Sequence, residues 1–261
     1  MDLQLRGKKA LVTGSTAGIG LAIATALARE GADVTVNGRT EARTNEAIAR
    51  IRGEAAGSVS GIAADGGTRA GIDALVSQMA HVDILVNNLG IFEPKPFAQI
   101  PDEDWVRFFE TNVLSGVRLC RAYLPAMIQR NWGRIVFISS ESAFQIPAEM
   151  IHYGMTKSAQ VAVARGLAET TAGTGVTVNT VLPGPTRSEG LEGFADRLSG
   201  GKSFAEFERE FFERVRPTSL LKRFETVDEI ASVVAFVCSP LASAINGAAV
   251  RAEGGVLKSA F

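Results

Sequence analysis

The stretch that decides the fold is Thr13-Gly14-Ser15-Thr16-Ala17-Gly18-Ile19-Gly20. It follows a short apolar run at residues 8–12, typical of a β-strand, and leads into residues 21–31, which are rich in strong helix formers. The glycines therefore lie at a turn from a strand into a helix, where backbone N–H groups and the helix dipole favour a phosphate. The candidate contacts of a dinucleotide pyrophosphate at this turn are Gly14, Ser15, Thr16, Gly18, Ile19 and Gly20. A glycine-rich turn is not specific by itself, and a tight turn without a ligand is the alternative.

Strand and helix patterns alternate along the rest of the chain. Further strands are predicted at 32–36, 59–63, 82–86, 134–138, 176–181 and, from a weaker pattern, 246–250. Helices are predicted near 40–52, 68–80, 102–130, 152–172 and 226–238. This alternation indicates parallel strands with helices on both faces of a sheet. We therefore predict an α/β protein with a Rossmann-type, doubly wound parallel β-sheet. One domain is expected over residues 1–261, because no linker or repeat divides the chain.

The composition is that of an ordinary globular protein and narrows the possible partners. The 261 residues carry a net charge of −1 and are 46% hydrophobic, with no long basic stretch, so we predict no nucleic-acid partner. No apolar segment is long enough to span a membrane, and residues 1–8 lack an apolar signal region, so we predict a cytoplasmic protein without a membrane partner. No cluster of His, Cys and Asp has the spacing of metal ligands, so no metal is expected.

Tyr153 and Lys157 have the spacing of a proton-transfer pair. They are four residues apart in a predicted helix, so both side chains lie on one face, one turn apart. A free tyrosine has a pKa of about 10 and is a poor acid or base near neutral pH. A neighbouring ammonium stabilises the phenolate and lowers that pKa. We therefore predict that Tyr153 exchanges a proton with a substrate oxygen, although such a pair also occurs by coincidence on helix surfaces.

Taken in order along the chain, these motifs resemble those of the short-chain dehydrogenase/reductase superfamily, in its single-domain branch. The positions that match the family are Thr13, Gly14, Gly18 and Gly20, then Asn87, Asn88 and Gly90, then Asn112, Ser140, Tyr153 and Lys157, and finally Pro183-Gly184. Ser139 competes with Ser140, and Ser140 is preferred because it precedes Tyr153 by 13 positions, the usual spacing in the family. The match covers the chain apart from a segment at 186–224.

The resemblance implies an oxidoreductase that moves hydride between NAD(P)(H) and a small-molecule carbonyl or secondary alcohol. The implied catalytic residues, which we call the tetrad, are Asn112, Ser140, Tyr153 and Lys157. Ser140 would polarise the substrate oxygen and Tyr153 would be the general acid or base. Lys157 would hold the nicotinamide ribose, and Asn112 would keep in place a water that links Lys157 to solvent. The further implied cofactor contacts are Asp65 at the adenine, Asn87 and Gly90 at its ribose, and Pro183, Gly184, Thr186 and Ser188 toward the nicotinamide.

The resemblance also implies a homo-oligomer, with a tetramer expected. Family members usually pair the helices that correspond to 102–130 and 152–172 across a two-fold axis. In this chain the first of these helices has more apolar side chains than one core-facing stripe requires, among them Val106 and Phe109.

The cofactor preference is predicted from the end of the second strand. NAD-preferring enzymes usually have an acidic residue there, which binds the ribose diol. This chain has Gly38 at that place and Arg39 beside it, and a guanidinium can pair with a 2′-phosphate. We therefore predict NADP(H), and the alternative is a solvated Arg39 with NAD(H) as cofactor.

Three positions near the motifs stand out. Leu89 is found where alanine is usual in the family, and Gly66 follows Asp65 where an aliphatic residue is usual. Glu141, next to Ser140, is interpreted as a solvated loop carboxylate rather than a substrate contact.

The segment 186–224 is interpreted as a substrate lid. It leaves the carboxyl end of the sixth strand, where ligands bind in open α/β sheets. Gly200-Gly201 could absorb its motion, and its phenylalanines could cover the substrate. These are Phe204, Phe207, Phe211 and Phe212. The alternative is a helix whose aromatic face packs permanently on the core.

Two alternative functions stay open. A 3-oxoacyl-[acyl-carrier-protein] reductase tends to have basic residues at the mouth of its site. Asn131 and Thr174, taken as such positions, are uncharged, although Arg130 and Arg134 are near. The second alternative is a non-catalytic dinucleotide-binding protein, which would not need the pair of Tyr153 and Lys157.

Overall fold

A parallel sheet of seven strands forms the centre of the protein, and the computed structural model describes residues 1–191 and 203–260. The strands of the described residues are β1 (Lys9–Val12), β2 (Asp33–Gly38), β3 (Val59–Ala63), β4 (Ile84–Asn87), β5 (Gly133–Ile138), β6 (Val176–Pro183), β7 (Thr186–Arg187), β8 (Glu225–Thr226) and β9 (Ala249–Ala252). The central sheet has the order β3-β2-β1-β4-β5-β6-β9, and every neighbouring pair is parallel. The predicted doubly wound parallel sheet is confirmed.

Helices cover both faces of this sheet. The helices of the described residues are α1 (Gly18–Arg29), α2 (Glu41–Arg52), α3 (Arg69–Gln78), α4 (Asp102–Phe109), α5 (Ser115–Gln129), α6 (Ile151–Thr170), α7 (Phe204–Glu210) and α8 (Val227–Val237). In β1, Leu11 faces the hydrophobic cluster under α3, α5 and α6, whereas Ala10 and Val12 face the cluster under α1, α2 and α8. Successive strand side chains point to opposite faces, so one strand contributes to both cores. None of the described helices is both long enough and apolar enough to cross a bilayer.

The order of the strands creates a crevice between β1 and β4. From β1 the chain runs outward to β3, and it then crosses back to β4 and continues toward the opposite edge at β9. The connections that leave β1 and β4 therefore diverge at the carboxyl ends of these two neighbouring strands. Open α/β sheets bind ligands at such a reversal. The glycine turn (residues 13–20) follows β1 directly, so it lies at the crevice where a ligand is expected.

The predicted helix 102–130 is interrupted. The structure has α4, then a π-helical turn at Glu110–Leu114, then α5. The apolar pattern continues through the turn, so the sequence did not indicate it. Asn112 lies in this turn, and π-helical turns within helices occur frequently at functional sites. The last strand is also displaced, to 249–252 from the predicted 246–250.

A small second sheet, which we did not predict, connects the two ends of the segment 186–224. Its strands β7 and β8 pair in parallel, with Thr186 beside Glu225. Four aromatic rings of the segment surround Phe224, with ring centroids 5.0–5.6 Å or 6.0 Å from its own; they are Phe204, Phe207, Phe211 and Phe212. The predicted aromatic face therefore packs inward, and the proposed hinge at Gly200-Gly201 lies outside the described residues.

Candidate active site

The glycine turn leaves its backbone bare at the start of α1. Gly14 and Gly18 have φ values of +58° and +55°, in the left-handed region that favours glycine. A Cβ on Gly20 would lie 2.4 Å from Nδ2 of Asn88 and 2.5 Å from the carbonyl oxygen of Gly14, so a side chain cannot be placed there without a shift. No side chain caps α1, and the first N–H groups of a helix have no partner within it. The turn thus offers space and donors for a phosphate.

Asn88 connects the glycine turn to the loop after β4. Its Nδ2 donates to the carbonyl oxygens of Thr13 and Gly14 at 2.9 and 3.0 Å, and its N–H donates to the Thr13 hydroxyl at 3.0 Å. Asn87, expected at the adenine ribose, is placed differently. It is buried in β4, where its amide points to the sulfur of Cys120 at 3.6 Å. The alternation of side chains along the strand turns Asn87 inward. Asn88 is the residue of the pair that lines a cavity at the carboxyl ends of the strands.

Ser15 also differs from the expectation of a cofactor contact. Its side chain is fully buried, and its hydroxyl donates to the carbonyl oxygen of Val12 at 2.7 Å while accepting the N–H of Asn37 at 2.9 Å. Its own N–H donates to the carbonyl oxygen of Asn37. These bonds use both polar groups of Ser15 to join β1 and β2, so neither group is available to a ligand.

An outer cleft of about 590 Å³ extends from the glycine turn across the ends of β2 and β3. Among its lining residues are Thr16, Gly38, Arg39, Arg43, Asp65, Leu89 and Gly90. A Cβ on Gly38 would lie 2.4 Å from Cγ2 of Thr16, so a side chain at this position would require Thr16 to shift. Arg39 is exposed beside it, and the Asp65 carboxylate accepts the N–H of Gly67 at 3.0 Å.

An inner cavity of about 280 Å³ adjoins the outer cleft and shares Gly90 and Ile91 with it. Among its lining residues are Ile19, Ser140, Glu141, Tyr153, Lys157, Pro183, Gly184, Thr186, Ser188 and Arg216. Ser140 follows β5, and Tyr153 and Lys157 lie one turn apart on α6, with Nζ of Lys157 5.5 Å from the Tyr153 ring centroid. Three members of the predicted tetrad therefore meet on one cavity.

Asn112, the fourth member, holds the loop after β4 against α6. Its Oδ1 accepts the N–H of Ile91 at 2.8 Å, and its Nδ2 donates to the carbonyl oxygen of Ile91 and to the hydroxyl of Thr156, both at 3.0 Å. Its backbone carbonyl accepts from Nε2 of Gln160 at 2.6 Å. Oε1 of Gln160 in turn accepts from Nζ of Lys157 at 3.3 Å. Gln160, which we did not single out in the sequence, thus bridges Asn112 and Lys157.

The protonation of Tyr153 differs from the expectation based on its lysine neighbour. Burial raises the pKa of Tyr153 well above its ordinary value, and the carboxylate of Glu141 raises it further. Burial also lowers the pKa of Lys157 to about 7. The groups that lower the pKa of Tyr153 are Ser140 and Arg216, and Lys157 is not among them. The phenol is therefore the stable form of Tyr153 near neutral pH.

Glu141 is buried, so its interpretation as a solvated loop carboxylate is wrong. It is 4% exposed, and its Oε1 accepts from Nε of Arg216 at 2.8 Å. Arg216 lies 75 residues further along the chain, and no local pattern connects the two. The places of Gln160 and Asn88 in the site were easier to predict from the sequence. Gln160 is one helical turn after Lys157, and Asn88 belongs to a matched motif.

The residues that the sequence predicts to hold the nicotinamide, at 183–188, line the inner cavity. The turn after β6 is held by Glu225, whose Oε2 accepts the N–H of Gly184 at 3.0 Å, and by the Thr186 hydroxyl, which donates to the carbonyl oxygen of Gly184 at 2.9 Å. The Ser188 hydroxyl accepts the N–H of Leu191 at 3.3 Å. In the described part of the chain, His, Cys, Asp and Glu side chains form no group that could hold a metal ion.

Comparison with known proteins decides the family. The model of a family described as short chain dehydrogenase matches residues 8–197. The chain belongs to the short chain dehydrogenase family. The uncharacterized oxidoreductase YvaG of Bacillus subtilis is 51% identical to this short chain dehydrogenase over 264 residues, with 100% of both chains covered. A 3-oxoacyl-[acyl-carrier-protein] reductase of Aquifex aeolicus is 33% identical, over 98% of this chain and 100% of the relative.

A solved structure of the same fold shows the likeness in three dimensions. It is the L-sorbose reductase of Gluconobacter frateurii, complexed with NADPH and L-sorbose. It matches with a TM-score of 0.93 and 31% identity, over 99% of this short chain dehydrogenase and 100% of that chain. The predicted activity class is confirmed: the protein is an NAD(P)-dependent oxidoreductase.

Proposed function

We propose that this protein interconverts a carbonyl compound and its alcohol with NADP(H), with Tyr153 as the group that transfers the proton. The observation that supports this most directly is the meeting of Ser140, Tyr153 and Lys157 on an inner cavity that continues into the outer cleft. We call the inner cavity and the outer cleft together the groove. The proton-transfer groups lie in the inner cavity, and the space and backbone donors for a dinucleotide lie toward the outer cleft.

The groove fits a nicotinamide dinucleotide. The glycine turn supports this fit. Gly14 and Gly18 have positive φ values and Gly20 has no space for a Cβ, so the backbone at the start of α1 is free of side chains and open to a phosphate. The residues that would hold the dinucleotide are Gly18 and Gly20 at the start of α1 and, on the two cavities, Gly14, Thr16, Ile19, Arg39, Asp65, Gly90, Tyr153, Lys157, Pro183, Gly184, Thr186 and Ser188. When bound, the nicotinamide supplies or accepts the hydride.

The side chains of the inner cavity would manage the proton and the substrate oxygen. Ser140 would fix that oxygen with a hydrogen bond, and Tyr153 would give it a proton in reduction and take the proton back in oxidation. Since the pKa of Tyr153 is raised, its phenol keeps its proton near neutral pH, which suits reduction. Oxidation needs the phenolate and should gain rate as the pH rises.

The two alternatives make different forecasts. The relative from Aquifex aeolicus supports the 3-oxoacyl-[acyl-carrier-protein] reductase. Asn131 and Thr174 are uncharged, but they precede β5 and β6 and so lie at the amino-terminal ends of these strands, whereas the inner cavity lies at the carboxyl ends. They therefore say nothing about the mouth of the site. The non-catalytic alternative is disfavoured by the convergence of Ser140, Tyr153 and Lys157.

A substrate screen with NADPH and NADH in parallel, followed by nicotinamide absorbance, tests the proposed function. The panel contains ketoses and polyols, simple ketones and secondary alcohols, hydroxy acids and a 3-oxoacyl thioester. Turnover of an alcohol or carbonyl compound with preference for NADPH supports the proposal. Turnover confined to the thioester supports the first alternative, and cofactor binding without any turnover supports the second.

We also propose that the protein is a cytoplasmic homotetramer. Val106 and Phe109 on α4 are 62% and 38% exposed, and a second copy of the chain would bury such apolar side chains. Light scattering measures the assembly, and fractionation of the source cells measures the location.

Residues 186–224 are proposed to cover the substrate. Phe211 and Phe224 line the inner cavity, so the described part of this segment forms one of its walls. Amide exchange that slows when cofactor and a product analogue bind would support a closing segment. Slow exchange that does not change would support a fixed wall.

A further inference from the structure

A buried ion pair borders the inner cavity, and the proposed function gives it no role. Glu141 lies in the 3₁₀ turn after β5, and Arg216 follows the π-helical turn Phe211–Val215 at the end of α7. Nε of Arg216 donates to Oε1 of Glu141 at 2.8 Å, and the two side chains are only 7% and 5% exposed. Both residues line the same cavity as Tyr153.

The acceptor positions of Glu141 are used within the protein. Oε1 accepts from Arg216, and Oε2 accepts from the hydroxyl of Ser140. Oε2 also accepts the N–H and the hydroxyl of Ser142, at 2.7 and 3.0 Å. A carboxylate has about four lone-pair sites, so these donors leave little capacity for a substrate. Any influence of Glu141 on the reaction therefore passes through its neighbours.

One of these neighbours is Ser140, a member of the tetrad. Its hydroxyl proton is directed to Glu141, while the N–H of Ser142 donates to the same hydroxyl oxygen at 3.1 Å. The hydroxyl is thus held from two sides. To donate to a substrate carbonyl, the hydroxyl must turn its proton away from Glu141, so the carboxylate governs how readily Ser140 does so.

The other neighbour is the phenol of Tyr153. Burial has the largest effect on its pKa and raises it, the carboxylate of Glu141 raises it further, and the guanidinium of Arg216 lowers it. The other described groups that face the ring are Ser140, which lowers the pKa of Tyr153 when its hydroxyl turns from Glu141 to donate to the phenolate, and Lys157 at 5.5 Å from the ring centroid. Glu149 lies behind Arg216, with its carboxylate 3.6 Å from Nη1.

Stability alone does not explain such a pair. Taking two charges out of water costs much of what their attraction returns, and well-packed apolar residues often replace buried ion pairs without loss. The position of the pair is more informative than its energy. We propose that Glu141 and Arg216 are positioning residues for the tetrad: Glu141 fixes the hydroxyl of Ser140, and the two opposite charges set the electrostatic balance at Tyr153.

The kinetic test rests on the proposed function and compares Glu141→Gln, Arg216→Met and the double variant. The measurement is the pH dependence of kcat/KM for oxidation of an alcohol found in the substrate screen. We expect the rate rise on the alkaline side to begin at lower pH in Glu141→Gln and at higher pH in Arg216→Met than in the unmutated protein, and to return in the double variant. Glu169→Gln is the matched control, since Glu169 pairs with Arg165 on the exposed face of α6.

A second measurement needs no turnover. The chain has two tyrosines, so Tyr123→Phe protein labelled with ¹³C-tyrosine gives one NMR signal, from Tyr153. In this background we expect the signal to begin its titration at lower pH with Glu141→Gln than with Arg216→Met. If the titration of the Tyr153 signal shifts in opposite directions in the two variants but the unmutated protein turns over no substrate, the proposed role of Glu141 and Arg216 is supported and the proposed function is rejected.

Two results would overturn the proposal. One is a shift of both single variants in the same direction, and the other is no shift in folded protein, as judged by circular dichroism. If Glu141→Gln does not fold, the comparison of Arg216→Met with the double variant measures the effect of the Glu141 charge.

Discussion

Leu89 fills the space beside Gly66. Its Cδ2 lies 3.4 Å from the position that a Cβ on Gly66 would take, and its Cδ1 lies 3.3 Å from the corresponding position on Gly14. The two departures from the family pattern, a large residue at 89 and no side chain at 66, therefore form one packing arrangement on the outer cleft. Leu89 is the nearest neighbour that a side chain at 66 would meet.

A double-mutant cycle measures this relationship. Gly66→Val places methyl groups against Leu89, and Leu89→Ala removes a half-buried side chain from this contact, so we expect each to lower the free energy of unfolding by about 1 kcal/mol. The double variant should recover at least half of the summed loss, as measured by urea denaturation. Losses that simply add would show that the two positions pack independently.

Tyr153→Phe should abolish most turnover while leaving the affinity for cofactor unchanged. Phenylalanine keeps the ring and removes the transferable proton, and positioned acid–base groups contribute about 10²–10⁴-fold in rate. The matched control is Tyr123→Phe, because the buried Tyr123 hydroxyl has no hydrogen-bond partner in the described part of the chain. Steady-state kinetics and fluorescence titration give the two readouts. Retention of more than half of the turnover in Tyr153→Phe would assign the proton transfer to another group.

Arg39→Ala should weaken NADPH much more than NADH. Loss of a charged hydrogen bond to the 2′-phosphate costs about 1.5–3 kcal/mol, or roughly 10–100-fold in affinity. Arg52, exposed near the end of α2, provides the control Arg52→Ala, which should change neither affinity. Equal losses for the two cofactors would remove the reason to assign NADP(H).

Two glycine substitutions in helices should act in opposite directions. Gly20→Ala places a Cβ 2.4 Å from Nδ2 of Asn88 and should lower the free energy of unfolding by about 1–3 kcal/mol and weaken dinucleotide binding. In Gly166→Ala on α6, the new Cβ meets no atom within 4 Å. We expect this variant to raise the free energy of unfolding by about 1 kcal/mol, because alanine favours a helix. Thermal unfolding and cofactor titration compare the two. Unchanged binding in Gly20→Ala would exclude the glycine turn from the cofactor site.

Glu225→Gln should stabilise the protein at alkaline pH. Burial raises the pKa of Glu225 to about 7 from an ordinary value of 4.5. Because the folded-state pKa is raised, the contribution of this group to stability is complete below pH 4.5 and is lost as the pH rises to about 7. We expect the variant to gain about 3 kcal/mol in free energy of unfolding at pH 8, and little at pH 4. The amide still accepts the N–H of Gly184.

Urea denaturation at both pH values measures this gain. Glu46→Gln, on the exposed side of α2, is the control and should show no difference between the two conditions. A gain from Glu225→Gln that is equal at both pH values would contradict the assigned titration.

The sequence predicted the sheet well because its signals are local. The run at 59–63 coincides with β3, since a strand between two helices has a clear pattern. The two-residue strands β7 and β8 are too short for any periodicity, and the π-helical turn keeps the apolar pattern of its flanking helices. Spacing along one helix located Tyr153 and Lys157. The burial of Glu141 could not be predicted, because it depends on Arg216 from a distant segment.

The bridge formed by Gln160 limits how Lys157 can move. When Lys157 is charged, two of its hydrogens are held by the carbonyl oxygen of Ile138 and the amide oxygen of Gln160. Two anchors on one ammonium fix the end of a long, flexible side chain on the wall of the inner cavity. The third hydrogen is left for a ligand of that cavity, which therefore meets a donor whose position is set before the ligand arrives.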